Sequence, residues 1–267
     1  MADKVAVLIG AGYIGRAIIK AACAGEKIIV CDTSDSILKE AAEEFANNGF
    51  DTVCMKADLG SAGDLEKIIT EASETGDVKH LVIAAGLGSQ SPVGDIIAVD
   101  MMGIARAIDR FGEVIAEGGS GIVISAMSGH SVDYLTSEEV RQLESVPADD
   151  MSNLPFVEII DASPKAYALA KYSNIIRARS AAAAWAKRGA TINSISPGLV
   201  MTPVIRGILE SDKGEGFRKL LAGSPAGRAA TPSEVGELAK LLMTNRMITG
   251  TDVLIDGGIT ASKHAPQ

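Results

Sequence analysis

The sequence predicts a doubly wound α/β fold, a seven-stranded parallel sheet with helices on both faces, and three observations carry that prediction. Short apolar runs rich in Val and Ile recur along the chain, each bounded by Gly or polar residues. Helical patterns separate these runs almost throughout, the arrangement that yields parallel strands joined by helices packed on the sheet. The first run opens directly into a glycine-rich turn followed by a helix. No internal repeat and no low-complexity linker interrupts residues 1–267, so one domain is expected.

Taken in order, the strands are expected at 4–9, 27–31, 52–56, 80–84, 121–125, 191–196 and 252–255. The intervening helices are expected near 13–24, 34–47, 63–75, 95–117, 164–188, 203–222 and 232–245. After the first strand comes Gly10-Ala11-Gly12-Tyr13-Ile14-Gly15, a G-x-G-x-x-G turn opening a helix. Glycines there permit the tight turn and bring backbone N–H groups of a helix N-terminus close to a pyrophosphate. Asp32 ends the second strand, where a carboxylate accepts both ribose hydroxyls of an adenosine and repels a 2′-phosphate. No Lys or Arg follows it before Lys39, so NAD is preferred over NADP. Asp58-Leu59 follows the third strand and brackets an adenine; Ala84-Ala85-Gly86 follows the fourth, small enough for a ribose or nicotinamide to lie against the backbone. Residues 131–162 break the rhythm, with a short helix expected at 137–143, and read as a substrate lid or inserted binding segment.

Composition narrows the partners. Apolar residues reach 47%, enough for a full core, while aromatics are only 4%, so aliphatic and Ala packing must dominate. A net charge of −9 without a basic stripe argues against nucleic acid or an anionic membrane as partner. Cys23, Cys31 and Cys54 show no C-x-x-C spacing and are expected to be reduced thiols of a cytoplasmic protein. The histidines lie far apart in sequence, and no metal-ligand spacing appears. The first strand begins too early for a signal peptide, and no apolar run is long enough for a membrane span.

Tyr167 and Lys171 carry the chemistry. Four residues apart on a helix, they share one face, so an ammonium sits beside a phenol and favours phenolate. That combination makes a tyrosine usable for proton transfer.

With this pair following the fifth strand of such a sheet, the chain resembles the short-chain dehydrogenase/reductase family over essentially its whole length. Asp58-Leu59 matches the family's adenine-contacting acid, and Ala84-Ala85-Gly86 stands where the family has Asn-Asn-Ala-Gly. The stretch from Asn193 through Pro197-Gly198 to Val200 matches the segment after strand six; Thr202 matches the hydroxyl that holds the nicotinamide carboxamide. The resemblance implies a Rossmann-type fold and hydride transfer between NAD and a carbon bearing a hydroxyl or carbonyl. Tyr167 would exchange the proton with the substrate oxygen, and Lys171 would hydrogen-bond the nicotinamide ribose.

Three departures from the family pattern stand out. The glycine-rich loop is one residue shorter, with Ile9 where Thr is usual. Asp100 occupies the slot of the catalytic Asn, whose role is to arrange a water beside the Lys. The usual Ser slot holds Ala126, which cannot hydrogen-bond a substrate oxygen. Alternation along a strand turns Ser125 away from the site; Ser128 has the right parity but lies beyond the strand end. Either Ser128, or Ser125 in a slipped alignment, supplies the hydroxyl, or the chain is an impaired dinucleotide-binding sensor or scaffold.

Met127, Tyr134, Leu135, Leu154, Phe156, Val157, Met201 and Ile205 are expected to form an apolar substrate pocket, suited to a bulky secondary alcohol or ketone such as a hydroxysteroid. Ala178 and Ala181–Ala184 around Trp185 suit close helix packing, either on the chain's own sheet or across a two-fold axis. Family members commonly pair this helix with a second copy, which implies a homodimer or homotetramer.

Overall fold

The computed structural model describes residues 3–263; Met1-Ala2 and the last four residues lie outside them. Seven strands form one sheet in the order β3-β2-β1-β4-β5-β6-β7. They are β1 (Lys4–Ile9), β2 (Lys27–Asp32), β3 (Asp51–Lys56), β4 (Asp77–Ile83), β5 (Ser120–Ile124), β6 (Thr191–Pro197) and β7 (Asp252–Ile255). Every neighbouring pair is parallel. The central strands are buried nearly end to end, as Val/Ile-rich strands covered on both faces must be.

The helices are α1 (Tyr13–Ala22), α2 (Asp35–Asn47), α3 (Ala62–Thr75), α4 (Val93–Ile96), α5 (Ile104–Val114), α6 (Ser137–Ser145), α7 (Pro155–Glu158), α8 (Ser163–Ala186), α9 (Pro203–Glu210), α10 (Glu215–Ala222), α11 (Pro232–Thr244) and α12 (Ile259–Lys263). Ile18, Ile19, Phe45 and Leu242 from α1, α2 and α11 cover one face of the sheet. Leu65, Ile68, Ile108, Phe111 and Trp185 from α3, α5 and α8 cover the other. Trp185 fits because two glycines leave it room. A Cβ on Gly112 would lie 2.8 Å from its Nε1, and one on Gly121 would lie 2.7 Å from its Cη2. The indole N–H donates to the Ile108 carbonyl at 3.2 Å. Ala178 and Trp185 therefore pack inward on the chain's own core, while Ala183 and Ala184 are exposed.

The predicted elements are present, with three local differences. The expected helix over 95–117 is α4 and α5 joined by a π-helical turn, Ile97–Gly103. The expected helix over 203–222 is broken at Ser211 and by a short turn, Asp212–Gly214. Gly214 packs so closely there that a Cβ would sit 2.2 Å from the Ile208 carbonyl oxygen.

Residues 131–162 supply the third difference. Beyond α6 they form a 3-10 turn, Ala148–Asn153, and then α7. Leu143, Met151, Leu154, Val157 and Ile160 are buried with Ile96, Met101, Leu169 and Ile176 in a third apolar cluster outside the main sheet. Arg177 of α8 fastens this segment through hydrogen bonds to the carbonyls of Glu144 at 3.3 Å and Val146 at 2.8 Å, and it ion-pairs with Asp109 of α5. Leu154 and Val157 are thus core residues, which corrects their expected place on a pocket wall: their apolar surface is already covered from within the chain.

Candidate active site

The strand order reverses between β1 and β4, and at such a switch point the loops beyond the strand ends diverge to leave a crevice. A cleft of about 850 Å³ lies there, lined by Gly10, Gly12, Asp32, Asp58, Leu59 and the Ala84–Leu87 turn. Gly10 has φ +93°, and a Cβ on it would come within 2.2 Å of the Ala85 nitrogen. This glycine lets the first and fourth loops meet. A Cβ at Gly12 would meet nothing within 4 Å, so the backbone is open toward the cleft at that point. Gly12 also stands at the N-cap of α1, with no side chain capping the first turn. The exposed N–H groups and the positive end of the helix dipole suit an anionic phosphate.

Asp32 is held in place by its own loop. Its carboxylate accepts from the backbone N–H groups of Ala11 at 2.9 Å and Ser34 at 3.0 Å. The nearby ammonium of Lys56 is engaged by Asp35 at 2.6 Å. Asp58 is tied into its own turn, accepting from Gly60 N–H at 2.8 Å. This donor and acceptor set fits a dinucleotide: uncapped helix N–H groups at Gly12 could meet its phosphates and the Asp32 carboxylate its ribose hydroxyls.

At the inner end of the cleft, Asp100, Lys171 and Gly86 converge. Asp100 is completely buried, and its Oδ2 lies 3.0 Å from Lys171 Nζ. Its Oδ1 accepts from Leu87 N–H at 2.7 Å. The π-helical turn supplies the placement, and such turns recur where a helix must present a side chain out of regular register. A Cβ on Gly103 would lie 2.5 Å from the Leu59 carbonyl oxygen, so that glycine lets the turn approach the loop after β3. A Cβ on Gly86 would lie 2.8 Å from Lys171 Nζ, so the ammonium packs against bare backbone. Tyr167 is half-buried one helical turn earlier, with Lys171 Nζ 5.3 Å from its ring centroid.

The segment after β5 sits against this helix. A Cβ on Gly129 would lie 2.9 Å from the Tyr172 nitrogen. Ser125 is buried and donates its hydroxyl proton to the Lys171 main-chain carbonyl at 2.7 Å. That bond removes Ser125 as a donor to a substrate. Ala126 is half-buried in extended backbone and offers no polar atom. Ser128 Oγ is buried and has no hydrogen-bond partner among the described residues. Of the two serines named from sequence, Ser128 retains an uncommitted hydroxyl.

Other residues named from sequence are placed less centrally. Tyr13 is exposed, with the Arg16 guanidinium 4.6 Å above its ring, and Ile14 packs toward the α1–α11 core; neither lines the cleft. Gly198 lies against Asp256, where a Cβ would be 2.8 Å from that residue's Cα, and so closes the turn after Pro197. Val200 is buried and bridges to Ala230. Thr202 Oγ1 caps α9 by accepting from Ile205 N–H at 3.3 Å. Met127, Met201, Ile205 and Phe156 are half-buried, while Tyr134 is exposed beneath Lys165. Thr33, Asp95, Ala98 and Val99 line the cleft without having been anticipated. Thr33 directly follows Asp32, and Asp95 lies on α4; Ala98 and Val99 lie in the π-helical turn, whose course no spacing rule encodes.

Comparison with known proteins identifies the family. A family model described as short chain dehydrogenase matches residues 4–138, and one described as enoyl-(acyl carrier protein) reductase matches residues 155–260. The short-chain dehydrogenase/reductase bsc3 of Alternaria brassicicola is 33% identical over 266 residues, covering 98% of this chain and 97% of its own. A 3-alpha-hydroxysteroid dehydrogenase/carbonyl reductase of Comamonas testosteroni is 29% identical, covering 77% of this chain and 82% of its own. Among solved structures, the 3-alpha-hydroxysteroid dehydrogenase of Pseudomonas sp. B-0831, complexed with NADH, superposes with a TM-score of 0.74 at 23% identity, covering 99% of both chains. With the sheet order, the glycine-rich turn and the Tyr167–Lys171 helix in agreement, the chain belongs to the short-chain dehydrogenase/reductase family, oxidoreductases that act on CH–OH groups.

Proposed function

We propose that this enzyme uses NAD(H) rather than NADP(H) to interconvert a secondary alcohol and its ketone, with Tyr167 as the proton-transfer group. The observation that carries the reading is the line of groups from Asp32 through the cleft to the buried Asp100–Lys171 pair beside Tyr167. Gly12 would let the pyrophosphate approach the backbone, with Gly10 and Gly15 allowing the close packing that shapes the turn. Asp32 would accept the adenosine ribose hydroxyls, and Asp58-Leu59 would flank the adenine. Pro197, Gly198, Val200 and Thr202 would border the nicotinamide end. When bound, the nicotinamide supplies the hydride acceptor or donor.

The chain's own residues do the rest. Lys171 would hold the nicotinamide ribose and direct its positive charge toward Tyr167. Asp100 would hold Lys171 in that position and share its charge, while Leu87 N–H holds Asp100. Tyr167 would give its proton to the ketone oxygen or take one from the alcohol. Ser128 would hydrogen-bond that same oxygen, a role supported by its unpartnered Oγ. Half-buried Met127, Met201 and Ile205, with exposed Tyr134, favour a bulky apolar substrate, and the hydroxysteroid-acting relative points to the same class.

A substrate panel of hydroxysteroids, alicyclic alcohols and sugar alcohols, run with NAD and with NADP, tests this reading. Turnover with NAD on the apolar members is the expected result, and Tyr167→Phe should lower it by about 10²–10⁴ while leaving NADH binding intact. The second reading, a dinucleotide-binding sensor, is favoured by Ala126 and by the engaged Ser125 hydroxyl. It would prevail if NADH binds but no substrate turns over.

A further inference from the structure

Away from the cleft, the end of α1 and the strand β4 bring together three side chains that the reaction does not use. Cys23 caps the C-terminus of α1, its N–H bonded to the Ile19 carbonyl at 2.9 Å. Gly25, at φ +81°, turns the chain so that Glu26 N–H donates back to the Cys23 carbonyl at 3.2 Å. That turn sets the Glu26 carboxylate beside the Cys23 thiol. His80 arrives from β4 at a register shift: Val5 pairs with Val78 but Ala6 pairs with His80, so Lys79 is looped out. Bulges of this kind re-aim side chains. His80 Nδ1 lies 2.8 Å from Glu26 Oε2 and 3.8 Å from Cys23 Sγ, and all three ligand-type atoms lie within 4.8 Å of one another.

We propose that Cys23, Glu26 and His80 form a zinc site, with three protein ligands and a water in the fourth position. A thiolate sulfur, an imidazole nitrogen and a carboxylate oxygen are the donor types that Zn²⁺ takes in tetrahedral sites. With Zn–S about 2.3 Å and Zn–N or Zn–O about 2.0–2.2 Å, a tetrahedron has edges of about 3.3–3.6 Å. The His80–Glu26 edge, at 2.8 Å, is about half an ångström too short for that, and the His80–Cys23 edge, at 3.8 Å, slightly too long. Small side-chain movements reconcile both, with the ion replacing the His80–Glu26 hydrogen bond. The thiol is fully buried, while the side chains of His80 and Glu26 keep 17% and 8% of their exposure. The ion and its water would therefore enter from the His80 side. Softer ligation by sulfur and nitrogen favours zinc over magnesium or calcium, which take oxygen ligands.

The test uses the full chain, stripped with a chelator and then titrated with Co²⁺, whose thiolate bond gives a near-ultraviolet charge-transfer band. The band should saturate at one equivalent and be displaced by Zn²⁺. It should vanish in Cys23→Ser and persist in Cys54→Ser, which alters a thiol on β3. Zinc affinity should fall at least about 10-fold in His80→Gln, and at equal concentration Zn²⁺ should raise the melting temperature of the parent chain more than that of the variant. Circular dichroism confirms folding; if Cys23→Ser does not fold, His80→Gln decides alone. Absence of the band in the parent chain, its persistence in Cys23→Ser, or undiminished zinc affinity in folded His80→Gln would each overturn the proposal.

Discussion

At Ala126 the backbone is extended, φ −162° and ψ 158°, and the side chain ends at a methyl. The neighbouring Ser125 hydroxyl is bonded to the Lys171 carbonyl. Introducing a hydroxyl by Ala126→Ser should raise the chemical rate by up to about 10²–10³ if the native site lacks an oxyanion-type donor. If Ser128 already fills that role, Ala126→Ser should change little, and Ser128→Ala should lower the rate by a comparable factor. Measuring kcat for both variants with one ketone decides between them. Asp100 is the other residue whose chemistry departs from the family pattern. Its carboxylate contacts Lys171 directly, where the resemblance implies an Asn working through water. Removing one partner of a buried pair strands the other, so Asp100→Ala should cost about 3–5 kcal/mol of stability in denaturant unfolding. It should also weaken NADH binding, because Lys171 loses its anchor.

Among the elements, α11 shows how local sequence sets a helix start. Thr231 and Glu234 form a reciprocal capping box, with Pro232 in the first turn. Arg228 grips the Glu234 carboxylate with two nitrogens, at 2.9 and 2.6 Å. Hydrogen bonds from Arg228, then from the Thr231 backbone and hydroxyl, draw the Glu234 carboxyl down to about 2 from a reference of 4.5. A lowered folded-state value means that its stabilisation is complete above the unfolded glutamate range and is lost as pH falls through about 2. Acid unfolding of Glu234→Gln should therefore show a smaller loss of stability between pH 4.5 and 2 than the parent chain. Burial, by contrast, raises the Asp109 carboxyl despite its Arg177 partner. Arg177 links α5, α8 and the end of α6, and the 131–162 segment is held down by that link as well as by its apolar contacts.

For the molecule as a whole, the sheet carries the cleft at its reversal point, and the third apolar cluster packs against α8 outside the sheet. Among the described residues no helix is long and apolar enough to cross a membrane. Ala183 and Ala184 remain exposed on α8 after its inner face is filled by Ala178 and Trp185. We propose that this outer face pairs with a second copy, as a homodimer or homotetramer. Sizing at assay concentration should give a particle of at least twice 27.6 kDa, and a monomer at that concentration would refute the pairing.

Strand and helix order, the glycine turn, Asp32 and the Tyr167–Lys171 pair were legible in the amino-acid sequence, because each depends on local periodicity or on close spacing. The direct Asp100–Lys171 contact was not, since a π-helical turn changes which side chain a helix presents, and no spacing rule marks such a turn. Leu154 and Val157 were misplaced for a related reason: an apolar residue reads the same whether it faces a substrate or a third core cluster. Which serine kept its hydroxyl, and which cysteine met a histidine, depended on contacts 46 and 57 residues apart in the chain. Such long-range contacts are settled by packing, after the local pattern has been spent on forming the elements.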